Sequence, residues 1–235
     1  MKIDPDALTP ARRIHKRGKN QKANFLSGHK LDGIVQTESR FESAAVYLAM
    51  IDPRVQKIRP QPLTFDLDTG KIYATKEDLT LEYAGSGTTP RPYTPDLKLT
   101  LNCGGHVFVE TKSTFFIADN PDYRRLPAQL AELGHQLLLI TEQILTETLS
   151  LNAKHMRPYA GEKLAKAPAS AIANLGEGPF TFADAMRATG LSQSDIIRSI
   201  LTGILAFDIQ NQDLGPKTTL KAAGGSTAHL EILAL

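Results

Sequence analysis

Two segments of alternating apolar and polar residues, LKLTL at 97–101 and HVFVET at 106–111, flank an Asn-Cys-Gly-Gly turn, a pattern of period two that predicts paired strands. Upstream, TESRFESAAVYLAMIDP presents Ala45, Tyr47, Leu48, Ala49 and Ile51 as a packing surface, which predicts a helix from Glu38 to Met50 stopped by Asp52-Pro53. VQKIRPQPLTFDL reads as a strand whose two prolines indicate an edge or a bulge. After a turn at Asp68-Thr69-Gly70, a further strand is expected near Leu79 to Tyr83, and AGSGTTPRP forms a loop leading to Tyr93 and Asp96. In STFFIADNPDYRRLPAQLAELG, Asn120 is the expected N-cap and Pro121 the first turn. Leu126, Leu130 and Leu133 then recur at helical spacing before Gly134. HQLLLIT follows as a buried strand and EQILTETLSLNAKHMRPY as another helix. The order predicts an α/β core, a mixed sheet flanked by helices.

The tail is patterned differently. GEKLAKAPASA reads as a linker, one short helix ends at Gly190, and Ser192 with Asp195 forms a capping box for a helix striped with Ile196, Ile197, Ile200, Leu201 and Ile204. AFDIQ and KTTLKA follow as strand, turn and strand, so helix-turn-helix plus hairpin describes a winged helix. Its second helix is expected to expose Ser194, Asp195, Arg198 and Ser199, which offers little positive charge to phosphates and favours protein interaction over DNA binding. The chain thus divides into a basic arm at 1–30, an α/β domain at 31–160 and a winged-helix-like domain at 161–235.

At 235 residues the chain suffices for a sizeable core, and its net charge of +2 hides an asymmetry. Eight basic residues against two acidic ones fall within the first 30 positions, whereas six face seven from Gly161 onward. ARRIHKRGKNQK, with Arg12, Arg13, Lys16, Arg17 and Lys19, is a run suited to tracking a DNA backbone, although such runs also serve as plain solvated arms. Cys103 is the single cysteine, which excludes an intramolecular disulfide, and the lack of a long apolar run or hydrophobic leader points to a cytoplasmic protein with no membrane partner.

Four residues carry candidate chemistry: Glu42, Asp96, Glu110 and Lys112. Side chains alternate along a strand, so Glu110 and Lys112 share a face, and Asp96 on the neighbouring strand joins them. Hydrolysis of a phosphodiester develops negative charge that a hard cation such as Mg2+ neutralises. Asp96 and Glu110, with the Thr111 backbone carbonyl and Glu42 as a further acid from the helix, would hold Mg2+, or Mn2+ in its place. Lys112 would meet the attacking water or the phosphate. Arg91, on the loop before Asp96, is a candidate phosphate contact. A Glu-x-Lys on one strand face also describes a solvated ion pair. The six histidines have no metal-ligand spacing, and His106, four residues before Glu110, reads as a packing or surface residue.

Together TPD, VETK and the glutamate of FESAAVYLAMIDP resemble the PD-(D/E)xK nuclease superfamily. With the basic arm, RPQPLTF, YTPDLKL, GHQLLLITEQIL and the tail, the chain looks more narrowly like TnsA, the endonuclease subunit of heteromeric transposases. The resemblance implies a restriction-endonuclease-like fold and Mg2+-dependent cutting of the non-transferred strand at the 5′ transposon ends, in the bacterial cytosol at the nucleoid. It further implies a DDE-type transposase subunit as partner and an AAA+ ATPase regulator reached through the C-terminal region. Some members of that family carry Gln where this chain has Glu110. A free-standing nuclease of restriction, repair or phage type, and a noncatalytic DNA-binding adaptor, are the alternatives.

Overall fold

The computed structural model describes residues 24–235, in two compact units. The basic-arm residues Arg12, Arg13, Lys16, Arg17 and Lys19 lie outside the described residues. The first unit takes the chain up to Val46 and then Val55–Ile144; the second takes Tyr47–Arg54 and Leu145–Ala234.

In the first unit, β1 (Asn24–Leu26) pairs with β2 (Val35–Thr37) as a hairpin, and the chain then enters α1 (Arg40–Ile51). Three short strands follow, β3 (Val55–Pro60), β4 (Thr64–Asp66) and β5 (Ile72–Tyr73), then α2 (Lys76–Glu82) and β6 (Pro92–Tyr93). The hairpin of β7 (Leu97–Leu101) and β8 (His106–Thr111) leads through α3 (Thr114–Asp119) and α4 (Leu126–Glu132) to β9 (Leu137–Ile140). The main sheet has the order β3-β7-β8-β9, antiparallel except for the parallel β8–β9 pair. The architecture is mixed α/β with a mixed sheet, as the sequence order predicts.

Three local expectations change. The segment VQKIRPQPLTFDL is two strands, because Gln61, between Pro60 and Pro62, adopts a left-handed φ of 40° and ends β3. The strand expected at Leu79 to Tyr83 is helix: the Thr75 hydroxyl accepts from the Asp78 amide at 3.0 Å, and the Asp78 carboxylate accepts from the Thr75 amide at 3.0 Å. That reciprocal cap satisfies amides that a helix start otherwise leaves without partners. Asn120 closes α3, its side-chain amide donating to the Phe116 carbonyl, and makes no N-cap bond to the 3-10 turn of Pro121–Arg125.

Both faces of β7 and β8 are packed, and Glu110 shares its face with Phe108. Leu97 pairs with Val109 and Leu99 with Val107, all four buried on one face. On the other, Phe108 meets Phe65 edge to face at 5.3 Å, within a cluster of Tyr93, Leu126, Leu130 and Leu137. Each such buried side chain contributes about 1.5–3 kcal/mol of transfer free energy. This cluster fixes β4, β6 and α4 against the sheet face from which Glu110 projects.

The second unit contains α5 (Glu147–Met156), α6 (Lys166–Ala173), β10 (Phe180–Thr181), α7 (Phe182–Thr189), α8 (Gln193–Leu201), β11 (Leu205–Ala206) and β12 (Thr219–Ala222). Its antiparallel sheet has the order β10-β12-β11. Helix α6 occupies much of the segment read as a linker. Buried Asn152 of α5 donates to the Ile209 and Gln212 carbonyls at 2.9 and 2.7 Å and accepts from the Leu214 amide at 2.8 Å, tying α5 to the tail. The Ser192–Asp195 capping box is present, and Ile196, Ile197 and Ile200 are buried. Ser199 is also buried, contrary to the expected exposure, with its hydroxyl donating to the Ile196 carbonyl. Arg198 is engaged by Glu162 at 2.5 Å and Asp195 at 3.3 Å, so α8 presents little free positive charge. No described helix is long and apolar enough to cross a membrane.

Candidate active site

Strand register brings the predicted residues of β7 and β8 together. Because Leu97 is paired with Val109, Asp96 stands one step before β7, opposite Glu110 and on the same face. Lys112, two residues beyond Glu110, places its ammonium 2.6 Å from Glu110 Oε1 and 3.8 Å from Asp96 Oδ2. The same ammonium donates to the Thr111 carbonyl at 3.2 Å. Asp96 is oriented by β8 itself: its Oδ2 accepts from the Thr111 amide at 2.8 Å and the Thr111 hydroxyl at 2.7 Å.

Glu110 is almost fully buried, at 2 % exposure. Its second oxygen accepts from the Tyr93 hydroxyl at 2.9 Å. An ion pair alone would lower a carboxyl pKa, yet Glu110 is pushed up to about 7. Burial is the largest cause and the Asp96 charge the next, and these outweigh the favourable contacts with Lys112 and Tyr93. The Lys112 pKa is raised as well; burial opposes its charge, but Asp96 and Glu110 together prevail. Burial and then the neighbouring Glu110 charge push the Tyr93 hydroxyl well above its ordinary value, so it remains a donor.

Glu42 enters from the first turn of α1, where its Oε2 accepts from the Glu38 amide at 2.9 Å. It too is raised to about 7, by burial and then by Asp96, which places its charge within electrostatic reach of the β7–β8 cluster. Gln61 links the two acid-bearing segments: its amide donates to the Asp96 carbonyl at 2.8 Å and its side chain to Glu38 Oε1 at 3.1 Å. Left-handed backbone at a non-glycine residue costs of order 1–3 kcal/mol and persists where its surroundings fix it. Arg91 pairs with Asp68 at 3.2 Å and stands in no described contact with the three clustered residues. His106 packs edge to face on Phe108, in keeping with a packing role.

Tyr93 and Gln61 were not among the residues singled out from sequence. Tyr93 reaches Glu110 only through the pairing of β6 with β4 and the packing of Phe65 on Phe108, which no local spacing encodes. The Pro-Gln-Pro triplet did carry a signal for Gln61, since flanking prolines mark a forced break in the strand.

Asp96 and Glu110 share the Lys112 ammonium, Glu42 lies within electrostatic reach of Asp96, and Glu42 and Glu110 are held at raised pKa values. A divalent cation would offset that excess of negative charge. Among the described residues no group of three or more His, Cys, Asp or Glu side chains is placed to hold a metal, and Asp96 and Glu110 are the neighbouring oxygen donors that could serve one. Few carboxylates with waters completing the shell is the habit of Mg2+ and does not suit Zn2+, which takes nitrogen and sulfur ligands. As oxygen donors, Asp96 and Glu110 would suit Mg2+ or Mn2+. Neither a protein-family model nor a curated protein matches the sequence.

Proposed function

We propose that the chain is a Mg2+-dependent DNA endonuclease of the PD-(D/E)xK kind, acting as a TnsA-like subunit of a heteromeric transposase that cuts the non-transferred strand at 5′ transposon ends. The observation that carries the reading is the joint placement of Glu110, Lys112 and Asp96 on one sheet face, with separations of 2.6 and 3.8 Å from the Lys112 ammonium. Asp96 and Glu110 are the residues that would hold Mg2+, with Glu42 as a further acid. When bound, Mg2+ supplies Lewis-acid stabilisation of phosphoryl oxygens.

In the hydrolysis a water oxygen bonds phosphorus and the bond from phosphorus to the leaving sugar oxygen breaks; the water gives up a proton and the leaving oxygen takes one. The Lys112 ammonium, fixed by Glu110 and the Thr111 carbonyl, offers positive charge to the oxygens on which negative charge grows. Thr111 holds Asp96 through two hydrogen bonds, and Tyr93 holds Glu110 while screening it from water. The second unit, with α7, α8 and the β10-β12-β11 sheet, is a winged-helix-like domain that supplies a protein-interaction surface toward the DDE-type transposase and the AAA+ ATPase regulator. The commitment of Arg198 to acidic neighbours supports that role over DNA binding.

The test is strand cleavage of end-labelled transposon-end DNA by the protein with a DDE-type transposase. Cutting at the 5′ ends should require Mg2+, and Asp96→Ala should reduce it by about a hundredfold or more while DNA binding persists. Cleavage unchanged by Asp96→Ala would reject the site, and robust cutting of arbitrary DNA by the isolated chain would assign it to the free-standing nucleases.

A further inference from the structure

Gln61 is a polar residue whose setting suits neither its side chain nor its backbone. It is 7 % exposed, and its φ of 40° lies in the left-handed region that favours glycine. Pro60 and Pro62 on either side carry no amide hydrogen, so the Gln61 amide is the single backbone donor of the triplet. That amide donates to the Asp96 carbonyl at 2.8 Å, one step beyond the Pro60–Leu97 pair at which the β3–β7 register ends. The backbone of Gln61 thereby fixes the strand entry that carries Asp96.

Its side chain engages a different segment. Nε2 donates to Glu38 Oε1 at 3.1 Å, and the Glu38 amide in turn donates to Glu42 Oε2 at 2.9 Å. Both neighbours of Glu38 are anchored: the Thr37 and Ser43 hydroxyls bond each other at 2.7 Å, and the Ser39 hydroxyl accepts from the Glu42 amide at 3.0 Å. A shift of Glu38 is therefore a shift of the donor that aims the Glu42 carboxylate. Asp96 and Glu42 feel each other's charge and repel when both are ionised. Gln61 bonds to both segments and holds them together against that repulsion. Glycine would adopt the same backbone without strain, and what it would lack is the Nε2 contact to Glu38. A strained residue of this kind persists where its surroundings over-determine it, as happens where a site is pre-organised.

Resting on the nuclease reading of Asp96, Glu110 and Lys112, we infer that Gln61 is a positioning residue that ties Glu42 to Asp96, so that both carboxylates serve the same divalent cation.

Mn2+ binding to the full chain, followed by the electron paramagnetic resonance of the free ion, tests this. Gln61→Met keeps the side-chain length and loses the Nε2 donor. Gln61→Gly removes the side chain but accepts the left-handed backbone, so it keeps the test valid if Gln61→Met perturbs the fold. Each should weaken Mn2+ binding by about tenfold, the scale for losing a group that orients a metal-ligating side chain. In a Glu42→Gln background neither substitution should weaken it further, because the Gln61 side chain acts through Glu42. A merely structural contact would lower the unfolding temperature and leave the Mn2+ affinity of the folded variants unchanged, and that result would overturn the proposal. A tenfold loss that persists in the Glu42→Gln background would overturn it as well. Failure of the nuclease reading is seen separately, as Mn2+ affinity and strand cleavage that Asp96→Ala leaves unchanged, and it removes this inference too.

Discussion

Glu110 is where packing and charge conflict most. Its carboxyl is buried close to Asp96, and the Lys112 ammonium and the Tyr93 hydroxyl offset its charge only in part. Glu110 and Glu42 both rise from 4.5 to about 7, so the folded state favours their protonated forms. A carboxyl raised on folding contributes stability that is fully present below its unfolded value of 4.5 and is lost as pH climbs through about 7. Metal-free protein should accordingly lose stability across that interval. Mg2+, which competes with protons for the same oxygens, should restore it. Thermal unfolding at about pH 5 and about pH 8 measures this: the gain from Mg2+ should be larger at the higher pH and absent in Glu110→Gln. An equal gain at both pH values, or one that survives Glu110→Gln, would mean that the carboxylates do not hold the ion. The pairing of Glu110 with Lys112 was legible because side chains alternate along a strand and a two-residue spacing fixes a face. The role of Tyr93 was not, since it arises from the packing of a separate small sheet.

Elements were legible where one signal dominated. The β7–β8 hairpin and β9 follow from alternation and a short apolar run, and α8 from a capping box ahead of its isoleucines. At α2 two signals competed. Leu79, Leu81 and Tyr83 alternate as in a strand, but Thr75 and Asp78 form the same reciprocal cap as Ser192 and Asp195, and the cap prevails. Leu79 is the buried residue of α2, so the helix is defined by its cap together with the burial of that one side chain. The capping account expects Ser192→Ala to destabilise the second unit by about 1 kcal/mol, measured by urea unfolding. Loss of much less than half of that would show that the isoleucine packing of α8 fixes the helix start without its cap.

For the molecule as a whole, the sequence conveyed the mixed α/β class, while the course of α5 depended on distant partners. Asn152 looks like an ordinary polar helix residue in sequence, yet its side chain binds three backbone groups between Ile209 and Leu214. Helix periodicity cannot show such a bond, because the partners lie more than fifty positions along the chain. The same limit applies to the site, which assembles from α1, β6, β7 and β8 only once the sheet has formed. Crystals of the protein soaked in Mn2+, with anomalous scattering recorded, test the assembled site most directly. The account expects one strong peak within about 2.2 Å of oxygens of both Asp96 and Glu110. A fully occupied Mn2+ elsewhere with none between these two carboxylates would contradict it.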